Sequence, residues 1–243
     1  MANKAILNSF AESNQKYEEE TVSTSDNQNL SFIFIMHATL AIVYNGKTIF
    51  IDPVKEYADF ELFPKADVIL ITHEHFDHYD PEAVEAIRTK SSVVIGSASV
   101  VQRDQTIKLL SPGGSHKISD DINILGVHAY NTGKDKQKFH PKSRNDLGYI
   151  IELGKTRIYV PGDTEPIPEM KEFGQIDIAF LPVNQPYTMT INQAVEAAKT
   201  IKPKIFFPYH YSGTPIKDLV KPLSGTGIDV RIHNMQYKIN FEI

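Results

Sequence analysis

The sequence predicts an α+β fold of stacked β-sheets with helices on the outside. Three observations lead there. β-Branched and apolar runs joined by tight turns open the structured part, strands alternating with short helices follow, and a histidine-crowded turn stands where an apolar strand gives way to a helix.

Residues 1–29 show little periodicity and are rich in Glu, Ser, Asn and Gln, which predicts a polar arm or a short helix with Glu18-Glu19-Glu20 in solvent. Structure begins at Leu30. Ser31–Met36 and Leu40–Tyr44 read as strands, and Asn45-Gly46, a pair that tolerates two positive φ angles, turns the chain into a third strand at Lys47–Ile51. Pro53 stops that ladder and leaves Asp52 at a strand end. Asp67–Ile71 is a buried strand, Asp80-Pro81 caps a helix to about Thr89, and Ser92–Ile95 returns as strand. Short strands near Ile107–Leu110 and Ile122–Tyr130 flank the turn Ser111-Pro112-Gly113-Gly114.

Asn131–Asp146 is polar, basic and aperiodic, a long surface loop of the kind that carries function. Gly148–Leu153 and Thr156–Val160 form another hairpin, whose second strand leads to Asp163. A strand at Ile176–Leu181 runs into Pro182-Val183-Asn184-Gln185-Pro186-Tyr187, and Thr190 with Gln193 forms a capping box for a helix that buries Ala194, Val195, Ala197, Ala198 and Ile201. Lys204–Phe207 is a strand ending in Pro208-Tyr209-His210-Tyr211. A short helix near Ile216–Leu223 and strands near Asp229–Ile232 and Gln236–Phe241 close the chain. With no linker after Leu30, residues 30–243 are expected to form one domain behind the arm of residues 1–29.

Of the 243 residues, 41% are hydrophobic and 23% charged, values of an ordinary globular protein with a sizeable core. The net charge of -5 supplies no field for polyanions, so nucleic acid is not expected as the main partner. No apolar run is long enough to span a membrane, and the start lacks a secretory pattern. A cytoplasmic location is expected, with a periplasmic one as the alternative if Glu12–Asn29 is a tether left after removal of an export signal. The absence of cysteine excludes thiolate ligation, so any metal must be held by nitrogen and oxygen.

The functional argument centres on Thr72-His73-Glu74-His75-Phe76-Asp77-His78. Neutral imidazole nitrogen and carboxylate oxygen are ligands of divalent transition metals, and a His-x-His pair leaving a strand end points two rings to one side. Asp77 and His78, from the next part of the turn, can face a second ion beside the first.

With His73, His75, Asp77, His78, Asp163 and His210 all at strand ends, the chain resembles the metallo-β-lactamase-fold hydrolases from Leu30 to Ile243, most of all the branch of ascorbate-6-phosphate lactonase-like proteins. The further matching motifs are His37-Ala38-Thr39, Ile51-Asp52-Pro53, Gly162-Asp163-Thr164, Tyr187-Thr188-Met189 and Pro208-Tyr209-His210-Tyr211. The resemblance implies an αββα four-layer sandwich of two mixed β-sheets flanked by helices. It implies a binuclear site in which His73 and His75 hold one ion, Asp77, His78 and His210 the other, and Asp163 bridges. The third ligand of the first ion comes from His116, His128 or His140; similarity around residues 130–142 favours His140, with His128 as the alternative.

Other residues carry two readings. His37 lines the site or is a core histidine, and Asp52 orients a ligand histidine or is a turn aspartate. Asn184, Tyr187 and Tyr211 are expected beside the cleft, touching substrate or a ligand, and His233 is read as structural. The cations Lys134, Lys136, Lys138, Lys142 and Arg144 read as a solvated run rather than a phosphate clamp.

The expected cofactors are two divalent ions, zinc first, with manganese or iron also suited to the donor set. Such a pair makes hydroxide available near neutral pH and polarises a substrate oxygen, with Asp163 and Asp77 as the catalytic carboxylates. The implied function is metal-dependent hydrolysis of a small ester, lactone or phosphodiester. The alternatives are a nuclease and a non-catalytic metal-binding protein on the same fold. The expected partner is a small-molecule substrate, and a homo-oligomer is compatible with the family.

Overall fold

Alternation along the strands sorts the apolar side chains of this protein into two cores. In the computed structural model, which describes residues 2–12, 17–24 and 28–235, Leu30, Phe32 and Phe34 point into a core between two sheets. Ile33 and Ile35 point to a second core under a helical layer. The next strands repeat the division, with Leu40, Ile42, Ile49, Ile51, Val68 and Leu70 on the inner side and Ala41, Val43, Phe50, Ile69 and Ile71 on the outer. Strands buried on both faces read as continuous apolar runs.

The first sheet has the order β1 (Glu18–Ser23), β2 (Asn29–Met36), β3 (Thr39–Tyr44), β4 (Lys47–Ile51), β5 (Val68–Ile71), β6 (Val93–Gly96), β7 (Lys108–Leu109). The second runs β14 (Asp229–Val230), β13 (Ile205–Tyr209), β12 (Ile178–Pro182), β11 (Thr156–Val160), β10 (Leu147–Leu153), β9 (Ile122–His128), β8 (Ser115–Lys117). Each sheet is mixed. Pairing is antiparallel from β1 to β4 and from β8 to β11, and parallel from β4 to β7 and from β11 to β14. Phe32 and Phe34 meet Phe180 and Phe207 across the sheets, with ring centroids 5.6 Å apart for Phe32–Phe180 and 5.2 Å for Phe34–Phe207.

Helices α1 (Ala2–Glu12), α2 (Pro81–Ile87), α3 (Ala98–Arg103), α4 (Ile191–Ile201) and α5 (Val220–Leu223), with four short 3-10 helices, complete the described elements. The Asp80 carboxylate accepts from the backbone of Glu82 and Ala83 at the start of α2, and Thr190 and Gln193 cap α4 reciprocally. No helix among the described residues is long and apolar enough to cross a membrane.

At residues 1–29 the short helix is α1, and the expectation is corrected by an edge strand, β1, paired with β2. Its glutamates are not simply in solvent, since Glu18 and Glu20 grip His233 at 2.8 and 2.6 Å, and Arg231 pairs with Glu20. The strand expected at Gln236–Phe241 lies outside the described residues.

Candidate metal centre

The parallel strands of both sheets end at one rim, and the carboxyl ends of such strands are where ligands bind. Asp52 follows β4, Thr72–His78 follow β5, Asp163 follows β11, Asn184 follows β12 and His210 follows β13. His140 arrives from the β9–β10 loop, whose base is closed by Asn131 N donating to the His140 carbonyl at 2.8 Å. Thr72 and Gly162 touch where the sheets meet: a Cβ on Gly162 would lie 2.7 Å from the Thr72 Cβ, and its φ is +65°. Only glycine fits there.

Donor atoms converge in two sets. His73 Nε2 lies 3.1 Å from His75 Nδ1, which lies 3.3 Å from His140 Nε2. On the other side His78 Nε2 and His210 Nε2 are 3.1 Å apart, and Asp77 Oδ2 is 3.9 and 3.8 Å from them. Asp163 joins the sets: Oδ1 is 3.2 Å from His78 Nε2 and 3.0 Å from His210 Nε2, and Oδ2 is 3.3 Å from His140 Nε2.

Hydrogen bonds behind the rings fix which nitrogen faces the centre. His78 Nδ1 pairs with the Asp52 carboxylate at 2.7 Å, and a carboxylate only accepts. The Thr72 hydroxyl donates to Asp52 at 2.7 Å, so it accepts from His73 Nδ1 at 3.0 Å. Asn131 uses its amide nitrogen on the Tyr187 carbonyl, which leaves its oxygen to accept from His140 Nδ1 at 2.8 Å. Three rings thus present Nε2 to the centre, the usual preparation of a metal ligand.

His75 differs. Arg144 Nη1 stands 2.8 Å from His75 Nε2, and a guanidinium only donates, so that nitrogen accepts and Nδ1 carries the proton while no metal is bound.

The electrostatics suit a cation. Desolvation lowers His140 to about 4 and His210 to about 3, so both rings are neutral near pH 7. Burial opposes charge on His78, but Asp163 and Asp52 on its two nitrogens outweigh burial and hold it charged. Burial likewise opposes charge on Asp163 and is outweighed by His210 and His78, so the carboxylate stays ionised. Ring nitrogens and Asp163 oxygens converging at 3.0–3.3 Å, with Asp163 Oδ1 buried without a hydrogen-bond partner, form a donor set that divalent ions fit.

Backbone strain concentrates here. His37, Asp52 and His210 hold φ of 58°, 45° and 44°, left-handed values that cost a non-glycine residue about 1 kcal/mol or more. His37 accepts at its carbonyl from His210 N at 2.8 Å, sets its ring, tilted by 42°, with its centroid 3.7 Å from that of His210, and pairs with Asp77 Oδ2 at 3.2 Å. It lines the centre.

The expected residues divide as follows. His37, His73, His75, Asp77, His78, His140, Asp163 and His210 come together, with Asp52 behind His78. A cleft of about 490 Å³ opens over them, and Asn184 and Tyr187 are on its wall. Tyr211 is corrected: it is buried away from the cleft, donates to the His233 carbonyl and accepts from Met235 N, because its hydroxyl is needed by the C-terminal segment. His128 lies on a different groove, beside Gly126 and Phe173, and His116 faces Lys108. The basic loop is not a free charge run, since Lys136 pairs with Glu165, Lys142 with Glu169 and Arg144 with Asp146. Sequence reading missed Arg144 beside His75 and Glu165 at the loop, since their partners are remote in the chain.

Residues 31–210 match the family profile described as the β-lactamase superfamily domain. A relative from Nanoarchaeum equitans, named as a UPF0173 metal-dependent hydrolase, is 30% identical over 75% of this chain and 84% of its own. A solved structure from Parabacteroides distasonis, described as a candidate metal-dependent hydrolase, is 44% identical with a TM-score of 0.88, covering 91% of this chain and 100% of that one. A metallo hydrolase from Ignicoccus hospitalis, 24% identical with a TM-score of 0.63 over 82% of this chain and 92% of its own, shares the fold.

Proposed function

This chain belongs to the β-lactamase superfamily domain family, and from that premise and the geometry of the rim we propose that it is a metal-dependent hydrolase working through a binuclear centre on a small ester or lactone. One observation carries the binuclear reading. The two oxygens of Asp163 face different donor sets, Oδ1 the His78–His210 side and Oδ2 the His140 side.

In this reading His73, His75 and His140 would hold one ion and Asp77, His78 and His210 the other, with Asp163 able to serve both. Bound ions supply Lewis acidity and an activated water at neutral pH. The residues of the chain do the rest. Asp52, Thr72 and Asn131 keep the Nε2 atoms aimed, and His37 orients Asp77. Asp163, ionised and at the floor of the cleft, can take a proton from the attacking water and return it to the leaving group. Zinc is the first candidate and manganese or iron the others, as the nitrogen and oxygen donors suit all three.

The test is metal content by elemental analysis of the wild type, His75→Ala and Asp163→Ala, with turnover of aryl esters and lactones. About two equivalents in the wild type, with metal and turnover lost in Asp163→Ala, is the expected result. A single equivalent that Asp163→Ala retains, or turnover without metal, overturns the reading.

A further inference from the structure

The cleft wall holds two features that metal ligation does not explain. Phe76 stands between His75 and Asp77 with 81% of its surface exposed, an apolar cost with no packing return in the folded chain. Tyr187, on the wall with it, is 45% exposed and packs edge-on against Phe139 at 5.0 Å between centroids. These rings leave an apolar seat beside the ligands.

The second feature is Arg103, at the end of α3, on the same wall. Four neighbouring cations are spoken for. Lys136 is on Glu165 at 3.0 Å, Lys142 on Glu169 at 2.6 Å, Arg144 on Asp146 at 2.5 Å, and Lys138 lies over the Phe139 ring at 5.1 Å. Arg103 makes no ion pair or hydrogen bond among the described residues. Arg103, exposed on the wall of a cleft whose carboxylate lining groups are Glu74, Asp77 and Asp163, bears on the Tyr79 hydroxyl but has no carboxylate partner of its own among the described residues. Its planar fork matches carboxylate and phosphate.

We infer that the substrate is an amphipathic anion: a carboxylate or phosphate group held by Arg103, an aromatic or branched apolar body against Phe76 and Tyr187, and the scissile carbonyl between them over Asp163. The cleft of about 490 Å³ accommodates a small molecule of this kind. The inference rests on the hydrolase reading and adds to it the charge and polarity of the substrate.

The experiment separates the two by measuring binding rather than turnover. Zinc-loaded full-length wild type, Arg103→Ala, Arg103→Lys and Phe76→Ala are titrated by calorimetry with 4-phenylbutanoate, 4-phenylbutyl phosphate and the neutral 4-phenylbutanamide, and metal content is recorded for each. Wild type is expected to favour at least one of the anions over the amide by about tenfold, the scale of one charge-assisted contact. Arg103→Ala should bring that ratio near one at unchanged metal content, with Arg103→Lys between. Which anion shows the larger ratio distinguishes carboxylate from phosphate. Phe76→Ala should weaken acid and amide alike, by about fivefold. An anion-to-amide ratio that survives Arg103→Ala overturns the inference, as does a wild type that binds neither anion measurably. Failure of the hydrolase reading shows elsewhere, as absent metal or absent turnover.

Discussion

The two halves of the candidate metal centre are built to different standards of rigidity. The half around His78 and His210 is made of strand ends: His78 is fixed by Asp52, His210 by the His37 carbonyl, and three of its residues are held at left-handed φ by the sheets around them. The half around His73, His75 and His140 takes its third ligand from a loop, and His75 is only half-buried with its nitrogen engaged by Arg144. That loop is held by Glu165, whose Oε2 accepts from Thr132 N and Gly133 N at 2.8 and 2.7 Å while Oε1 takes Gln193 and Lys136, both at 3.0 Å. Preorganisation comes from strand ends in one half, and in the other rests partly on a loop that a single buried carboxylate holds.

The largest expected effect is one that erases the comparison. Asp163→Ala removes the residue common to both halves, and turnover of a responsive ester should fall about a thousandfold with loss of bound metal, read by steady-state kinetics and elemental analysis. Asp52→Ala strikes the strand-end half directly and reaches the other only through Thr72, whose hydroxyl sits between Asp52 and His73. It leaves the Thr72 N–H and His78 without their buried acceptor, so a loss of about 3 kcal/mol in urea unfolding and a ten- to hundredfold weaker metal affinity, roughly, are expected. Retained affinity in that variant would mean the two halves do not differ in the way described.

Glu165→Gln sharpens the contrast from the other side. Chelator-competition titration should show one ion released about tenfold more readily and the other unchanged, with turnover falling in step with the loosened ion. Equal weakening of both would show that the loop supports the whole centre. The smallest effect is expected at Tyr211→Phe, which removes a hydroxyl from the His233 and Met235 contacts: about 1 kcal/mol of stability, with metal content and ester turnover unchanged. A change in substrate KM there would return Tyr211 to the cleft.

The same division runs through what the sequence reveals. The strand-end features are local: β-branched runs, the Asn45-Gly46 turn, the Asp80 and Thr190 caps, and a His-x-His-x-Asp-His turn directly after an apolar strand mark their positions without knowledge of the fold. β1 is hidden because Glu18-Glu19-Glu20 reads as solvated, and its grip on His233 joins residues more than two hundred positions apart. α3, with six residues, and β8, with three, are too short for a periodic signal. Arg144 and Glu165 look like ordinary surface charges in sequence, because the atoms that give them meaning, His75 Nε2 and the loop amides, are brought to them only by the closed fold.

The contact between Gly162 and Thr72 bears on the order of assembly. Every ligand of the first sheet lies between residues 37 and 78, and every ligand of the second between residues 140 and 210. A chain in which only one sheet has formed therefore owns part of a coordination sphere, and closing the rest requires the seam at Gly162 to shut. Such non-local docking is a slow, late event in folding. Tight metal capture then becomes a timestamp for the moment the two sheets meet, and a side chain at position 162 would leave two formed sheets unable to record it.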